Sequence, residues 1–360
     1  MVTLYVCSSE PYSGKALISL ALGLRMQQEG RRVGYFKPLG LTPTRVDDAL
    51  VDADALYIAQ TLGVADAVAD VSPVVLTHEL LNEVVAGRGP NLRALVETAF
   101  SRVRRDKDVL IVGGAGSATS TGRALGLPAP EVARMTGAKT LLVGRYENDR
   151  DLDPILAAAQ VMGEGVIGLI LNGVPRSQLP AVRERVAPGV AARGLEVLGV
   201  MPRDAILHAL SVRTLAEELG ARVLCCEEHL DDLVEHFTVG AMSVDSALRY
   251  FRRIPNKAVI TGGDRSDIQL AALDTDTRCL ILTGDLEPNS RILTRAEEAG
   301  VPMLLVPMDT LAVIERVEEM LAKVRVRGPR KLQRAQELLA EYVNYPRLME
   351  KLGAGAVAGQ

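Results

Sequence analysis

From residue 1 to about residue 225, short apolar runs alternate with amphipathic stretches long enough to be helices, and nothing else in the chain constrains its fold as strongly. Parallel strands need a crossover between them, so this alternation dictates a parallel sheet covered by helices. Residues 4–7, 33–36, 109–112, 140–143, 166–171 and 196–200 are the expected strands, with a helix over residues 15–28. A smaller set follows, with strands at 257–260, 279–282 and 303–306 and helices at 243–251, 266–273 and 290–299. Between the two sets, residues 225–235 turn acidic and polar and read as a linker. The expected fold class is therefore α/β, a parallel sheet flanked by helices with a second, smaller α/β domain. The expected boundaries are 1–224 and 225–330, with a C-terminal helical tail over 331–360 that Pro346 interrupts and whose last residues fray.

The 48% hydrophobic and 24% charged residues leave ample core and no sign of intrinsic disorder. A net charge of −4, no Trp and only four Phe exclude a basic, aromatic-lined nucleic-acid surface. The basic run over residues 323–334 is broken by Gly328 and Pro329 and reads as a solvated face. Four scattered cysteines, the absence of a basic leader and the absence of a membrane-length apolar run give the expectation of a cytoplasmic protein without membrane partners.

The sharpest motif follows the first strand: Ser8-Ser9-Glu10-Pro11-Tyr12-Ser13-Gly14-Lys15-Ala16. A Gly-Lys pair after small residues, between a strand and a helix, is the pattern of a loop whose amides cradle phosphate while the lysine reaches the outer oxygens. Ser9, Glu10, Ser13, Gly14 and Lys15 are the candidate phosphate residues. The next position in such a loop carries a Ser or Thr hydroxyl that ligates Mg²⁺, and here it is Ala16.

Other candidates lie at strand ends, where α/β sites gather. Lys37 follows the second strand and offers a second ammonium for phosphate, or is a solvated strand-end lysine. Asp52 and Asp54 open a helical stretch, where a carboxylate either caps the helix or holds a metal. Residues 113–117, Gly-Gly-Ala-Gly-Ser, form a second glycine-rich turn without an acidic residue. Asn172 suits the edge of a nucleobase and suits a turn equally well. In the second domain Gly263, Asp264 and Arg265 open a helix, and Thr283 and Gly284 form the matching loop after the next strand. That pair of loops is competent for an anion or is simply capping. His229 and His236 beside Cys225 and Cys226 match no zinc spacing and read as linker.

Residues 8–16, 35–40, 109–117, 168–175 and 198–204, in that order, resemble the dethiobiotin synthetase and cobyrinic acid diamide synthase family of P-loop proteins over residues 1–224. The resemblance implies ATP or another nucleotide as ligand, with Lys15, Lys37 and Asn172 in the family's lysine, second-lysine and base-reading positions. Its metal ligands fall on Ala16, on Asp54 and on Gly113 where the family has a glutamate, so two of three are lost and a Mg²⁺ site is not expected. Gly263-Asp264-Arg265 and Leu282-Thr283-Gly284 resemble the DRTGG domain, although the literal Asp-Arg-Thr-Gly-Gly string is absent, since Ser266-Asp267 follows the Arg. The two together are similar to the N-terminal regulatory half of long bacterial phosphotransacetylases, without the acetyl-transfer domain. The implied function is a regulatory or sensory protein, tied to acetyl phosphate and acetyl-CoA metabolism, that binds a small phosphorylated ligand and self-associates through its DRTGG-like domain. The alternative is an ATP-dependent ligase of the synthetase type, with Asp54 and Glu10 carrying Mg²⁺.

Overall fold

The computed structural model describes residues 1–46, 49–322 and 328–354. Residues 323–327 of the basic run and residues 355–360 of the tail lie outside them. The chain divides into two compact units, Met1–Arg203 together with Val326–Gln360, and Asp204–Arg325.

The first unit is built on β1 (Val2–Ser8), α1 (Lys15–Gln28), β2 (Val33–Phe36), β3 (Pro43–Val46), β4 (Ala49–Asp52), α2 (Ala53–Thr61), β5 (Val109–Gly113), β6 (Lys139–Arg145), β7 (Val166–Val174) and β8 (Val197–Pro202). Six strands form a parallel sheet in the order β8-β7-β6-β1-β5-β2, and β3 and β4 pair as an antiparallel hairpin. Because β1 is central and successive crossovers leave it toward both edges, its carboxyl end is the topological switch point of the sheet. The strands are buried on both faces, as a sheet covered by helices requires: Leu4, Val6, Leu110, Ile111, Leu141 and Leu142 are all fully enclosed. Helix α1 buries Leu17, Ile18, Leu20, Ala21, Leu22 and Met26.

The second unit carries a five-stranded sheet of β9 (Arg222–Cys225), β10 (His236–Val239), β11 (Lys257–Gly262), β12 (Thr277–Thr283) and β13 (Met303–Leu305), with α3 (Ser266–Leu273) after β11. The order is β9-β13-β12-β11-β10, parallel except for β9 against β13.

Three expectations change here. The segment read as a linker is structured: Cys225 and Cys226 are buried in the second core, and Leu230 and Val234 are buried with Ala258, Ile260 and Leu304. The division between units falls near residue 204 rather than 225, because the helix Val212–Leu219 buries Val212, Leu215 and Leu219 in the cluster that also holds Leu230, Val234 and Ala258. The C-terminal helices α4 (Pro329–Tyr342) and α5 (Tyr345–Leu352) belong to the first unit rather than to a separate tail. Val343 bridges Gly199 of β8, Asn344 N–H donates to Leu198 O (2.7 Å), and Arg347 and Lys351 pair with Glu196 at 3.0 and 2.6 Å. Among the described residues no helix is long and apolar enough to cross a membrane.

Candidate functional site

The loop after β1 sits at the switch point, and its shape is set by its own side chains. Ser8 Oγ donates to Glu10 O (2.6 Å) and Ser13 Oγ to Glu10 O (3.2 Å), while Tyr12 and Gly14 take positive φ values of 57° and 95°. The first backbone bond into α1 is Ile18 N–H on Gly14 O (3.0 Å), so the amides just before it are left open at the helix N-terminus. Open amides together with the positive end of the helix dipole favour an anion at this point. Gly14 serves for two reasons: its backbone is left-handed, and a Cβ there would stand 2.4 Å from Asn172 Nδ2.

Lys15 lies under the loop. Its Nζ donates to Ser8 Oγ and to Gly116 O, both at 2.8 Å, and burial lowers its pKa to about 8. The second glycine turn is tied to the first: Ser117 Oγ donates to Ser9 O (2.7 Å) and Ala118 N–H to Ser8 O (2.8 Å). Parallel register brings these turns together, with Val6 opposite Gly113 on β5 and Ser8 opposite Val143 on β6. Burial raises the pKa of Glu10, with Arg145 opposing the shift.

Asn172, at the end of β7, donates its amide to Ser13 O (2.9 Å) and so braces the loop from the side of the sheet opposite Gly113. Lys37 does not stand open toward the loop. Its Nζ lies 2.7 Å from Asp52 Oδ1 and 3.6 Å from Asp54 Oδ2. Asp52 is wholly buried and receives Lys37, the amides of Leu41 and Thr42 (2.9 Å each), and those of Asp54 (3.1 Å) and Ala55 (2.8 Å). It is the N-cap of α2 and the clasp between Lys37, the hairpin and that helix. Asp54, read as a metal candidate, faces Lys37.

Position 113 carries information that its own identity hides. A Cβ built on Gly113 would stand 2.2 Å from Tyr35 Oη, so the phenol of Tyr35 fills the space a side chain there would use. Tyr35, Asp52 as a hub, Ser8 and Ser117 are the site residues the sequence reading missed or undervalued. The available signal for Ser117 was its place in the glycine turn. Among the described residues no group of three or more His, Cys, Asp or Glu is placed to hold a metal.

In the second unit, the loops at Gly263 and Thr283 are adjacent through the pairing of β11 and β12. Their side chains are turned to neighbouring protein groups. Arg265 pairs with Asp267 (3.0 Å) and donates to Met242 O (3.3 Å), Gln269 Nε2 donates to Gly262 O and Gly263 O, and Thr283 Oγ1 meets Thr310 Oγ1 at 2.9 Å. A Cβ on Gly263 would be 1.6 Å from Leu286 O, which explains that glycine by close approach of backbone, and Gly284 has φ 83°. Asp264 lies beside Gly262 in the same turn.

Comparison with known proteins agrees with this architecture. A DRTGG domain model matches residues 214–320. Among curated relatives, the chain is 26% identical to a phosphate acetyltransferase of Pseudomonas aeruginosa, over 94% of the chain and 51% of that protein. It is 27% identical to that of Deinococcus radiodurans, over 100% of the chain and 52% of that protein. A cobyric acid synthase of Roseiflexus castenholzii is 29% identical over 58% of the chain and 47% of that protein. The chain thus spans about half the length of the curated relatives it matches. Solved structures with local likeness include the CBS and DRTGG domains of the regulatory region of Clostridium perfringens pyrophosphatase (22% identity, 32% of this chain and 50% of that chain, TM-score 0.28). Another is the MinC:MinD complex of Aquifex aeolicus (14% identity, 57% of this chain and 84% of that chain, TM-score 0.36). A family model described as an AAA domain matches residues 2–237, and the chain, whose loop at Lys15 closes the central strand of that domain, belongs to the AAA domain family.

Proposed function

We propose that this chain is a cytoplasmic regulatory or sensory protein whose P-loop unit binds a nucleotide or another small phosphorylated metabolite, and whose DRTGG domain mediates association with further copies. The observation that carries the proposal is the loop at Lys15: open amides at a helix N-terminus over a half-buried ammonium, beside a position 16 that has no hydroxyl. Phosphoryl transfer depends on positioning and charge neutralisation, so a loop that keeps the cradle and lacks the metal contacts is suited to holding phosphate more than to transferring it. Similarity to phosphate acetyltransferases supports acetyl phosphate or acetyl-CoA metabolism as the setting. Ligand binding would act by favouring one conformation of the protein over another.

Isothermal titration of the full chain with ATP and ADP, with Lys15→Ala as control, tests this. Saturable binding that Lys15→Ala abolishes is the expected result. Heat signals identical in the two proteins, or none at all, would overturn it. Likeness to cobyric acid synthase supports a second reading, an ATP-dependent ligase. Mg²⁺-dependent ADP release lost in Lys15→Ala would favour that one.

A further inference from the structure

We infer that the phosphate site of the first unit works without a divalent cation, and that Tyr35 is the residue that decides this. The inference rests on the reading of the Lys15 loop as an anion site. The positions that would hold Mg²⁺ do not fit it, each for a different reason. Ala16 offers only a methyl group. A side chain at position 113 has no room: its Cβ would stand 2.2 Å from Tyr35 Oη and 2.9 Å from Tyr35 Cζ. Tyr35 has little freedom to move aside, since it is 1% exposed and its strand pairs with β5 at Ile111, two residues before Gly113. What stands where a carboxylate would reach is a neutral phenol.

Of the nearby carboxylates, Asp52 and Asp54 are committed as well, and burial raises the pKa of Glu10, which disfavours the ionised form a metal would need. Asp52 already accepts one ammonium and four amides, which fills the lone-pair directions a carboxylate has. Asp54 is turned to Lys37 at 3.6 Å. Mg²⁺ demands hard oxygen ligands in near-octahedral geometry and is normally anchored by one or two carboxylates beside the substrate phosphates. Here the positive charge comes from the protein: Lys15 under the loop, with Lys37 near enough to oppose its ionisation. Tyr35 and Gly113 therefore act as a pair, in which the large residue on β2 and the absent side chain on β5 together close the metal position. The site holds its anion without help from a metal.

Three measurements on the full chain test this. ATP affinity measured in EDTA and in excess Mg²⁺ should agree within about threefold, and a larger gain with Mg²⁺ would overturn the inference. Mn²⁺ alone, followed by electron paramagnetic resonance, should show no stoichiometric site, and one that Asp54→Asn removes would also overturn it. Gly113→Ala should lower Tm by about 5 °C through overpacking, and Tyr35→Phe in the same chain, which removes the closest of the clashing atoms, should return part of that loss. Gly113→Ala as stable as wild type would mean position 113 is open, against the argument. If ATP fails to bind under either condition, the nucleotide reading of the loop falls. The Mn²⁺ and Gly113 results still decide whether the metal position is closed.

Discussion

Asp52→Ala tests how the site is held together, because one fully buried carboxylate receives five donors from three separate stretches of chain. Three costs follow from its removal. Loss of the α2 N-cap costs about 1 kcal/mol. The amides of Leu41 and Thr42 lose their acceptor, at about 1–3 kcal/mol for each one that water cannot reach. Lys37 keeps its buried ammonium without the closest counter-charge, which by itself costs about 3–5 kcal/mol. That last cost is reduced here, since Asp54 stands 3.6 Å away and is 27% exposed, so it brings both charge and water. The costs share one network and do not add, and a total of about 4 kcal/mol is expected.

A chain of two compact units has no single unfolding free energy, so the assay is hydrogen exchange read by mass spectrometry. Peptides over residues 37–46 and 49–61 should exchange about 10³-fold faster in Asp52→Ala, while those over β11 and β12 stay unchanged. Adding Lys37→Met should return part of the protection, because it removes the stranded charge. Exchange within about threefold of wild type in those peptides would refute the argument, as would an equal loss of protection across both units.

Other outcomes follow from the same geometry. Lys15 has its pKa lowered to about 8 by burial, and a bound phosphate favours the ammonium, so binding takes up a proton once the pH exceeds about 8. Phosphate affinity should therefore fall as pH rises from 8 to 9, by at most about tenfold, with a titration enthalpy that depends on the buffer's ionisation heat; a flat profile would contradict this. Asn172→Ala removes the brace on Ser13 O and should weaken ATP binding by about five- to tenfold with little change in Tm, measured by titration and calorimetry. Leu348 of α5 is fully buried in the first unit, and Leu348→Ala should cost about 2–4 kcal/mol, seen as faster exchange over β7 and β8. Gly263→Ala forces a methyl onto Leu286 O at 1.6 Å and should disrupt the second unit's exchange protection while leaving that of β1 and β5 intact.

Much of the secondary structure is legible in the chain itself. Helix α1 runs over Lys15–Gln28, α3 over Ser266–Leu273 and a further helix over Ser290–Ala299, where the apolar spacing puts them. The strand runs, rich in Val, Ile and Leu, bury both faces and so need no partner to be recognised. The phosphate loop is equally local, since Gly14-Lys15 between a strand and a helix carries its meaning in its own spacing.

Tertiary contact decided the rest. The Cys225–Cys226 segment looks polar in sequence because glutamates and aspartates follow it, yet antiparallel pairing with Met303–Leu305 makes Arg222–Cys225 an edge strand. Lys37 read alone is a phosphate ligand or a solvated lysine; it becomes half of a buried pair only when the β3–β4 hairpin delivers Asp52 to it. Tyr35 reads as ordinary core until β2 is laid beside β5, which sets Tyr35 opposite Ile111, and its hydroxyl arrives over Gly113. Local periodicity reports which residues form an element, whereas charge partners and excluded side chains depend on which elements become neighbours, and that is a property of the fold.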